Sequence, residues 1–409
     1  MAKKKNDNFT NEKGSSVFDL IKSFDDSAEI LSDSKAAIIK DYINTGNYIL
    51  NACMTGSLFK GLPTGRVVTL SGDPGTGKSF LAVSICREAQ KKGYTPIYMD
   101  SEGAIDVEFV SRLGCDTKNF IIKQVSTISE VSTFMSNLLK KVNDQPEDER
   151  TKLIFVLDSL GNLTSDKEYN DTLEAKQKRD MTKQQEIKAL FRVNATPLAK
   201  AQAPMIVCTH TYKTQDLYAQ SVVSGGSGIQ YNSSLTMMLT TSKLDDKASE
   251  KAASEKVGDF TKTGVIVTAT PKKSRFTIPQ KVQFQIPFFK APNPYVGLEK
   301  YVTWENSGII RGEILNQKEY DKLSDNDKSR CHEMADENGE VCYAREKDTA
   351  RTIVVKHLCG KVPVAELWSS KVFTEEILRK LDDEVIKPNF ELPSSDSFMD
   401  VEELIDSED

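Results

Sequence analysis

The sequence predicts an α/β fold in which a mainly parallel, twisted sheet is covered by helices. Three observations predict it. Short apolar runs of strand length recur between Arg66 and His210, helical stretches separate most of them, and a glycine-rich turn joins the first run to the first helix. Parallel strands need crossovers, and strands buried on both faces read as continuous apolar runs.

Taken in order, residues 1 to about 30 are polar and read as a frayed arm. From Asp33 to Asn51, apolar residues including Ile38, Ile39, Tyr42, Ile43 and Ile49 have mixed helical spacing and predict one helix or a helical pair. RVVTLS (66–71) predicts a buried strand, Lys78 to Lys92 a helix, and TPIYMD (95–100) a second strand. Asp106 to Leu113 follows as a short helix, FIIKQV (120–125) as a strand and Ile128 to Val142 as a helix. KLIFVLD (152–158) is a strongly apolar strand, Asp180 to Gln202 a long helix and PMIVCTH (204–210) another strand. A polar, Gly-rich segment (211–230) leads to SLTMMLTT, then to an exposed loop from Lys243 to Lys262. GVIVTAT (264–270) and KVQFQI (281–286) read as antiparallel strands joined by a basic turn. Beyond about Tyr295 a smaller α+β region is expected, with a helical pattern over Val372 to Ile386. No internal repeat is visible.

The 409 residues exceed one typical domain, at roughly 150 residues each. The expected division is a polar arm and helical segment (1–55), a core (56–294), a smaller α+β region (295–392) and an acidic disordered tail (393–409). No apolar run of membrane-spanning length occurs, and the charged N-terminus has no apolar stretch behind it, which argues against a membrane span and a secretory signal. Seven dispersed cysteines point to reduced thiols in a cytoplasmic compartment. Cys331, His332, Cys342, His357 and Cys359 lack a CxxC pair; Asp336 to Gly339 reads instead as a hairpin turn that sets Cys331 and Cys342 on two strands. Cys86 and Cys208 read as core packing. The net charge of −6 is concentrated: Ser394 to Asp409 holds seven acids and no base, so the remainder carries −6 + 7 = +1. Such a block reads as a solubilising tail or as an intramolecular competitor for a polyanion.

The strongest local signal is Gly72-Asp73-Pro74-Gly75-Thr76-Gly77-Lys78-Ser79, a GxxxxGK[ST] string that follows a strand and opens a helix. Glycines let backbone N–H groups turn inward around phosphate oxygens, and the helix N-terminus adds positive potential. Lys78 is expected to reach the β- and γ-phosphates of ATP, and Ser79 to hold Mg²⁺. Asp158, at the end of an apolar strand, fits a second Mg²⁺-holding acid, although strand-end aspartates also cap ordinary turns. Hydrolysis further needs a group to activate water. Glu102 is the candidate base, at the carboxyl edge where α/β sheets bind ligands, with Asp100 as substitute.

With these residues placed, the chain resembles the RecA family of strand-exchange recombinases, and within it the bacteriophage UvsX branch. The likeness begins at GSLFKGLPTGR (56–66) and continues through DSEGAID (100–106), LDSLGNLTSDKE (157–168), DMTKQQEIKALFR (180–192), THTYKTQ (209–215), SGGSG (224–228) and KKSR (272–275). It covers roughly Asp33 to Tyr343. The resemblance implies a RecA-like P-loop ATPase core. It assigns catalysis to Glu102, adenine packing to Phe109, and γ-phosphate sensing to His210, where bacterial relatives use Gln. A neutral His can donate to a phosphate oxygen, so that exchange is chemically reasonable. Lys273 and Arg275 match a basic pair that reaches a neighbouring subunit's ATP; Lys272 allows the alignment to slip by one.

The resemblance also implies two mobile loops that bind single-stranded DNA, here about Gly161 to Thr182 and Thr211 to Gly228. The first carries Lys167, Lys176, Lys178 and Arg179, with Lys183 adjacent, a basic footprint for phosphates. The second carries Tyr212, Lys213 and Tyr218 ahead of Gly225, Gly226 and Gly228, and aromatics on flexible backbone stack on bases without reading sequence. The expected protein is an ATP-dependent recombinase. It forms a homo-oligomeric filament on single-stranded DNA, pairs with double-stranded DNA, and has a recombination mediator and a single-stranded DNA-binding protein as further partners. A hexameric helicase and a non-hydrolysing mediator are the alternatives.

Overall fold

The computed structural model describes residues 12–25, 28–34, 36–173, 182–213, 221–224, 226–245, 262–287 and 292–393. Its centre is an eight-stranded sheet. In chain order the strands are β1 (Val67–Gly72), β2 (Thr95–Asp100), β3 (Ile121–Gln124), β4 (Leu153–Asp158), β5 (Met205–Thr209), β6 (Leu235–Asp245), β7 (Lys262–Ser274) and β8 (Val282–Pro287). In space they run β3-β2-β4-β5-β1-β6-β7-β8. The first six positions pair in parallel, and β7 and β8 add an antiparallel edge.

The two faces of the sheet sort residues by alternation along each strand. Val68, Leu70, Tyr98, Ile154, Val156, Ile206 and Cys208 pack with helix α1 (Lys78–Lys91). Val67, Ile97, Met99, Leu153, Phe155, Leu157, Met205 and Val207 pack with helices α2 (Ile128–Asn143) and α3 (Lys183–Ala201). Every residue of β1, β4 and β5 is buried, which explains why their sequences are rich in apolar residues rather than alternating. Cys86 and Cys208 are fully buried in this packing.

Two expectations fail at the N-terminal side. The polar arm contains a helix, Glu12–Phe24. Its apolar residues Val17, Leu20, Ile21 and Phe24 follow helical spacing, diluted by polar neighbours in a reading by mean polarity. Asp33 to Asn51 is not helical throughout. Tyr42–Ile43 pairs with Leu62–Pro63, Gly46 takes a φ of +87°, and the helix starts only at Tyr48, running to Thr55. The cause is the Asn44-Thr45-Gly46-Asn47 string: the Asn47 side chain accepts from Leu50 N at 3.0 Å, capping the helix there.

Strands β6 and β7 also extend beyond the expected ends, to Asp245 and from Lys262, so these ends of the expected loop are strand, and the rest of it falls outside the described residues. Residues 295–393 form a five-stranded antiparallel sheet in the order Cys331–Ala335, Val341–Glu346, Ile309–Asn316, Thr352–Val355, Gly360–Pro363. The Asp336 to Gly339 turn joins the first two, with Cys331 opposite Arg345 and Cys342 opposite Met334. Among the described residues no group of three potential metal ligands gathers. Phe373, just before the last helical stretch, and Leu381 and Phe390 within it join the same core as α1, and buried Asp382 accepts from Ser57 Oγ (2.8 Å) and Leu58 N (2.6 Å).

Candidate functional site

The parallel strands all end at one edge of the sheet, and a cavity of about 850 Å³ opens there. Its lining includes Pro74, Gly75, Gly77, Lys78, Ser79, Glu102, Phe109, Asp158 and His210. Chain segments far apart in sequence are thus brought together by strand order alone.

The phosphate loop leaves β1 at Gly72 and closes on the first turn of α1. Gly77 caps that helix with φ +87°, and a Cβ there would meet Ile286 Cδ1 at 2.4 Å. Gly75 has φ +76° and open space around it. Lys78 is 7% exposed, and its ammonium donates to the carbonyls of Gly72 (2.9 Å) and Asp73 (3.0 Å). An ammonium has three N–H donors, so one remains for an anion in the cradle. Burial lowers the Lys78 pKa, and nearby anionic groups, Asp158, Glu102 and Asp73 among them, oppose that shift. The loop therefore fits a polyphosphate: glycine backbone without side chains in the way, a helix N-terminus and a partly committed ammonium.

Asp100 and Glu102 have different work. Asp100 is fully buried, and its Oδ1 accepts from the N–H groups of Glu102 (2.9 Å) and Gly103 (2.8 Å). It builds the turn that presents Glu102, which removes it as the substitute base. Glu102 Oε1 meets His210 Nε2 at 2.9 Å and accepts from Ser159 Oγ. Burial pushes the Glu102 carboxyl up, but the hydrogen bonds of Ser159 and His210 and the charges of His210 and Lys78 hold it below its ordinary value. Ser101 and Ser159 tie β2 to β4 through Ser159 N to Ser101 Oγ (2.8 Å) and Ser101 Oγ to Ser159 O (2.7 Å). Sequence reasoning missed these serines, whose only signal is their place after the strand-end acids.

The cavity lining also includes Phe109, Leu113, Val265, Ile286, Pro287 and Pro292, which are apolar. Phe109 stands on the short helix Val107–Arg112, whose cap Asp106 accepts from Phe109 N at 2.7 Å.

Comparison with known proteins gives the family. The RecA N-terminal domain family matches residues 15–282. The chain belongs to that family. The "Recombination and repair protein" of Enterobacteria phage T4 is 26% identical over 272 residues, 66% of this chain and 65% of that protein. The "Protein RecA" of Wolbachia sp. subsp. Brugia malayi is 39% identical over 87 residues, 21% of this chain and 24% of that protein. That of Helicobacter pylori strain P12 is 33% identical over 100 residues, 24% of this chain and 28% of that protein. The chain therefore spans less than two thirds of the length of these relatives.

Lys176, Lys178, Arg179, Tyr218 and Gly225 fall outside the described residues. Gly161 to Thr182 is not wholly a loop, since Leu160–Asn162 forms a 3₁₀ turn and Asp166–Leu173 a helix. Tyr212 and Lys213 stand on a short strand, Thr211–Lys213, paired antiparallel with Ser221–Val223. Gly226 opens a short helix, Gly226–Asn232, in which Gly228 packs on Lys188 of α3. The described residues of the expected loop thus form a short antiparallel strand pair and a helix, and Tyr212 is 54% exposed. Thr211 Oγ1 donates to Asp73 Oδ1 of the phosphate loop, a contact no sequence pattern announced. Lys273 and Arg275 do not line this chain's own cavity. Lys273 Nζ donates to the carbonyls of Gln230 (2.7 Å) and Tyr231 (3.0 Å), and Arg275 to Tyr231 (3.4 Å), at the end of the Gly226–Asn232 helix.

Proposed function

We propose that this protein is an ATP-dependent DNA recombinase, a DNA-stimulated ATPase that forms a helical filament on single-stranded DNA and exchanges strands with homologous double-stranded DNA. The observation that carries it is the meeting of Lys78, Glu102, Asp158 and His210 in one cavity whose rim, at Asp73, touches the base of the Thr211–Val223 hairpin. ATP bound with Mg²⁺ supplies the phosphoryl group for hydrolysis. Gly72 to Gly77 cradle phosphate oxygens with backbone N–H groups, Lys78 neutralises their charge, and Ser79 and Asp158 hold the metal. Glu102, ionised and oriented by Ser159 and His210, orients and deprotonates water. Phe109 packs against the base.

His210 carries the state of the site outward. It precedes the hairpin directly, so a shift of its side chain moves Tyr212, Lys213 and the glycines at 225 and 226. Tyr212 and Tyr218 stack on bases, and Lys176, Lys178 and Arg179 neutralise phosphates. Lys273 and Arg275 act on the nucleotide of the next subunit. Such a head-to-tail contact does not close on itself and so makes a filament.

The division at 1–55, 56–294, 295–392 and 393–409 belongs to this proposal, with Asp33 to Asn51 as the segment that docks on the next protomer. So do a mediator and a single-stranded DNA-binding protein as partners, and a cytoplasmic location. No described helix is long and apolar enough to cross a membrane. The test is a strand-exchange assay of wild type against Lys78→Ala. Exchange is expected to be lost in the variant, and normal exchange overturns the proposal.

A further inference from the structure

We propose that Tyr98 is a positioning residue for Asp158, its phenol holding one carboxylate oxygen so that the other serves the cavity. The inference rests on the proposed reading of Asp158 as a metal-holding acid. Strands β2 and β4 run parallel with Asp100 level with Asp158 and Tyr98 level with Val156. Tyr98 and Asp158 therefore share a face of the sheet, and the phenol reaches two residues forward along the neighbouring strand. Tyr98 OH donates to Asp158 Oδ2 at 2.5 Å.

Both groups are almost wholly removed from water, Tyr98 at 0% and Asp158 at 1% exposure. A carboxylate oxygen so placed, away from water, needs a hydrogen-bond donor. The Tyr98 ring is fixed by the core and by Phe120, at 5.9 Å between centroids. Packing alone does not explain a tyrosine here, because a phenylalanine fills the same space and removes the phenol from the acid, which then keeps the Cys208 thiol as its side-chain hydrogen-bond partner. The hydroxyl's work is to hold the acid in one orientation, as outer-shell partners of metal ligands do.

The test is Tyr98→Phe, with Mn²⁺ as probe in the presence of ADP, titrated by electron paramagnetic resonance. Mn²⁺ binding to the protein–ADP complex is expected to weaken by on the order of tenfold. ADP binding without divalent cation stays near wild type, while the thermal midpoint falls because a buried carboxylate loses a hydrogen bond. Mn²⁺ affinity within twofold of wild type overturns the inference. Should the phenylalanine variant not fold, Tyr98→Met, which adapts to irregular space, is read by the same titration. Asp158→Asn separates the two levels. Loss of Mn²⁺ binding there with none in Tyr98→Phe sinks only the role of Tyr98, whereas unaltered Mn²⁺ binding in Asp158→Asn sinks the reading of Asp158 itself.

Discussion

His210 Nε2 lies 2.9 Å from Glu102 Oε1, so the end of β5 and the turn after β2 are joined across the cavity. The contact, with that of Ser159, keeps the Glu102 carboxyl ionised below its ordinary value of 4.5 despite burial. A carboxyl whose folded value lies below its unfolded one adds stability that is complete above the unfolded value and lost as pH falls through the folded one. Stability measured against pH is therefore expected to fall less steeply below about pH 4.5 in Glu102→Gln than in wild type. At neutral pH the same variant is expected to bind ATP and to lose about 10²- to 10⁴-fold in hydrolysis. Equal acid slopes, or hydrolysis near wild type, would contradict this account.

Lys78 makes the opposite case. Burial lowers its pKa, and a base with a lowered folded value costs stability wherever it is charged in both states, including neutral pH. Lys78→Met removes that cost together with the hydrogen bonds to Gly72 and Asp73, two terms of opposite sign. The nucleotide-free variant is expected to unfold within a few degrees of wild type. Its ADP affinity by calorimetry is expected to drop roughly 10- to 150-fold, from about 1.5–3 kcal/mol for a charged hydrogen bond. An unchanged affinity would show that Lys78 does not face the phosphates.

The strands, their parallel pairing and the phosphate loop were legible because burial on both faces leaves apolar runs that no helix interrupts. Glu102 and Asp158 were legible as strand-end acids beside that loop. His210, Lys273 and Arg275 were not: their proposed roles came from the RecA resemblance, since a lone histidine or a basic turn has many uses. The 33–51 segment was misread because Ile38, Ile39 and Ile43 were counted for spacing while Gly46 and the Asn47 cap were not. Tyr98, Ser159 and Thr211 stayed hidden for a different reason. Each acts through a partner at least 50 residues away in sequence, and only strand order reveals that.

Thr211 and Asp73 link the hairpin base to the phosphate loop directly, beside the His210 route. Thr211→Val keeps the shape and removes the donor. Single-stranded DNA affinity is then expected to depend less on whether ATP analogue or ADP is bound, with the ratio of the two dissociation constants falling several-fold, within the usual range of about 1–3 kcal/mol for coupling between sites. Tyr212→Ala is the contrast. Loss of a stacking ring, about 1–3 kcal/mol per base, weakens DNA binding alike with either nucleotide and leaves the ratio intact. Fluorescence anisotropy of a labelled oligonucleotide measures both. A ratio unmoved by Thr211→Val would leave His210 as the whole connection.

Lys273 and Arg275 sit on the carbonyl end of the Gly226–Asn232 helix, away from their own chain's cavity. Cations are favoured at a helix C-terminus, so these contacts have a structural reason within one chain. A role in catalysis then requires a neighbour, and mixing separates the two. Lys273→Ala/Arg275→Ala keeps an intact pocket but offers no basic pair, while Glu102→Gln keeps the pair but has a disabled pocket. Each alone is expected to hydrolyse ATP poorly on single-stranded DNA. Mixed in equal amounts, about a quarter of head-to-tail contacts join an intact pocket to an intact pair, and hydrolysis is expected to recover to that share. A mixture no more active than its parts would confine the pair to bracing the helix beside the DNA hairpin.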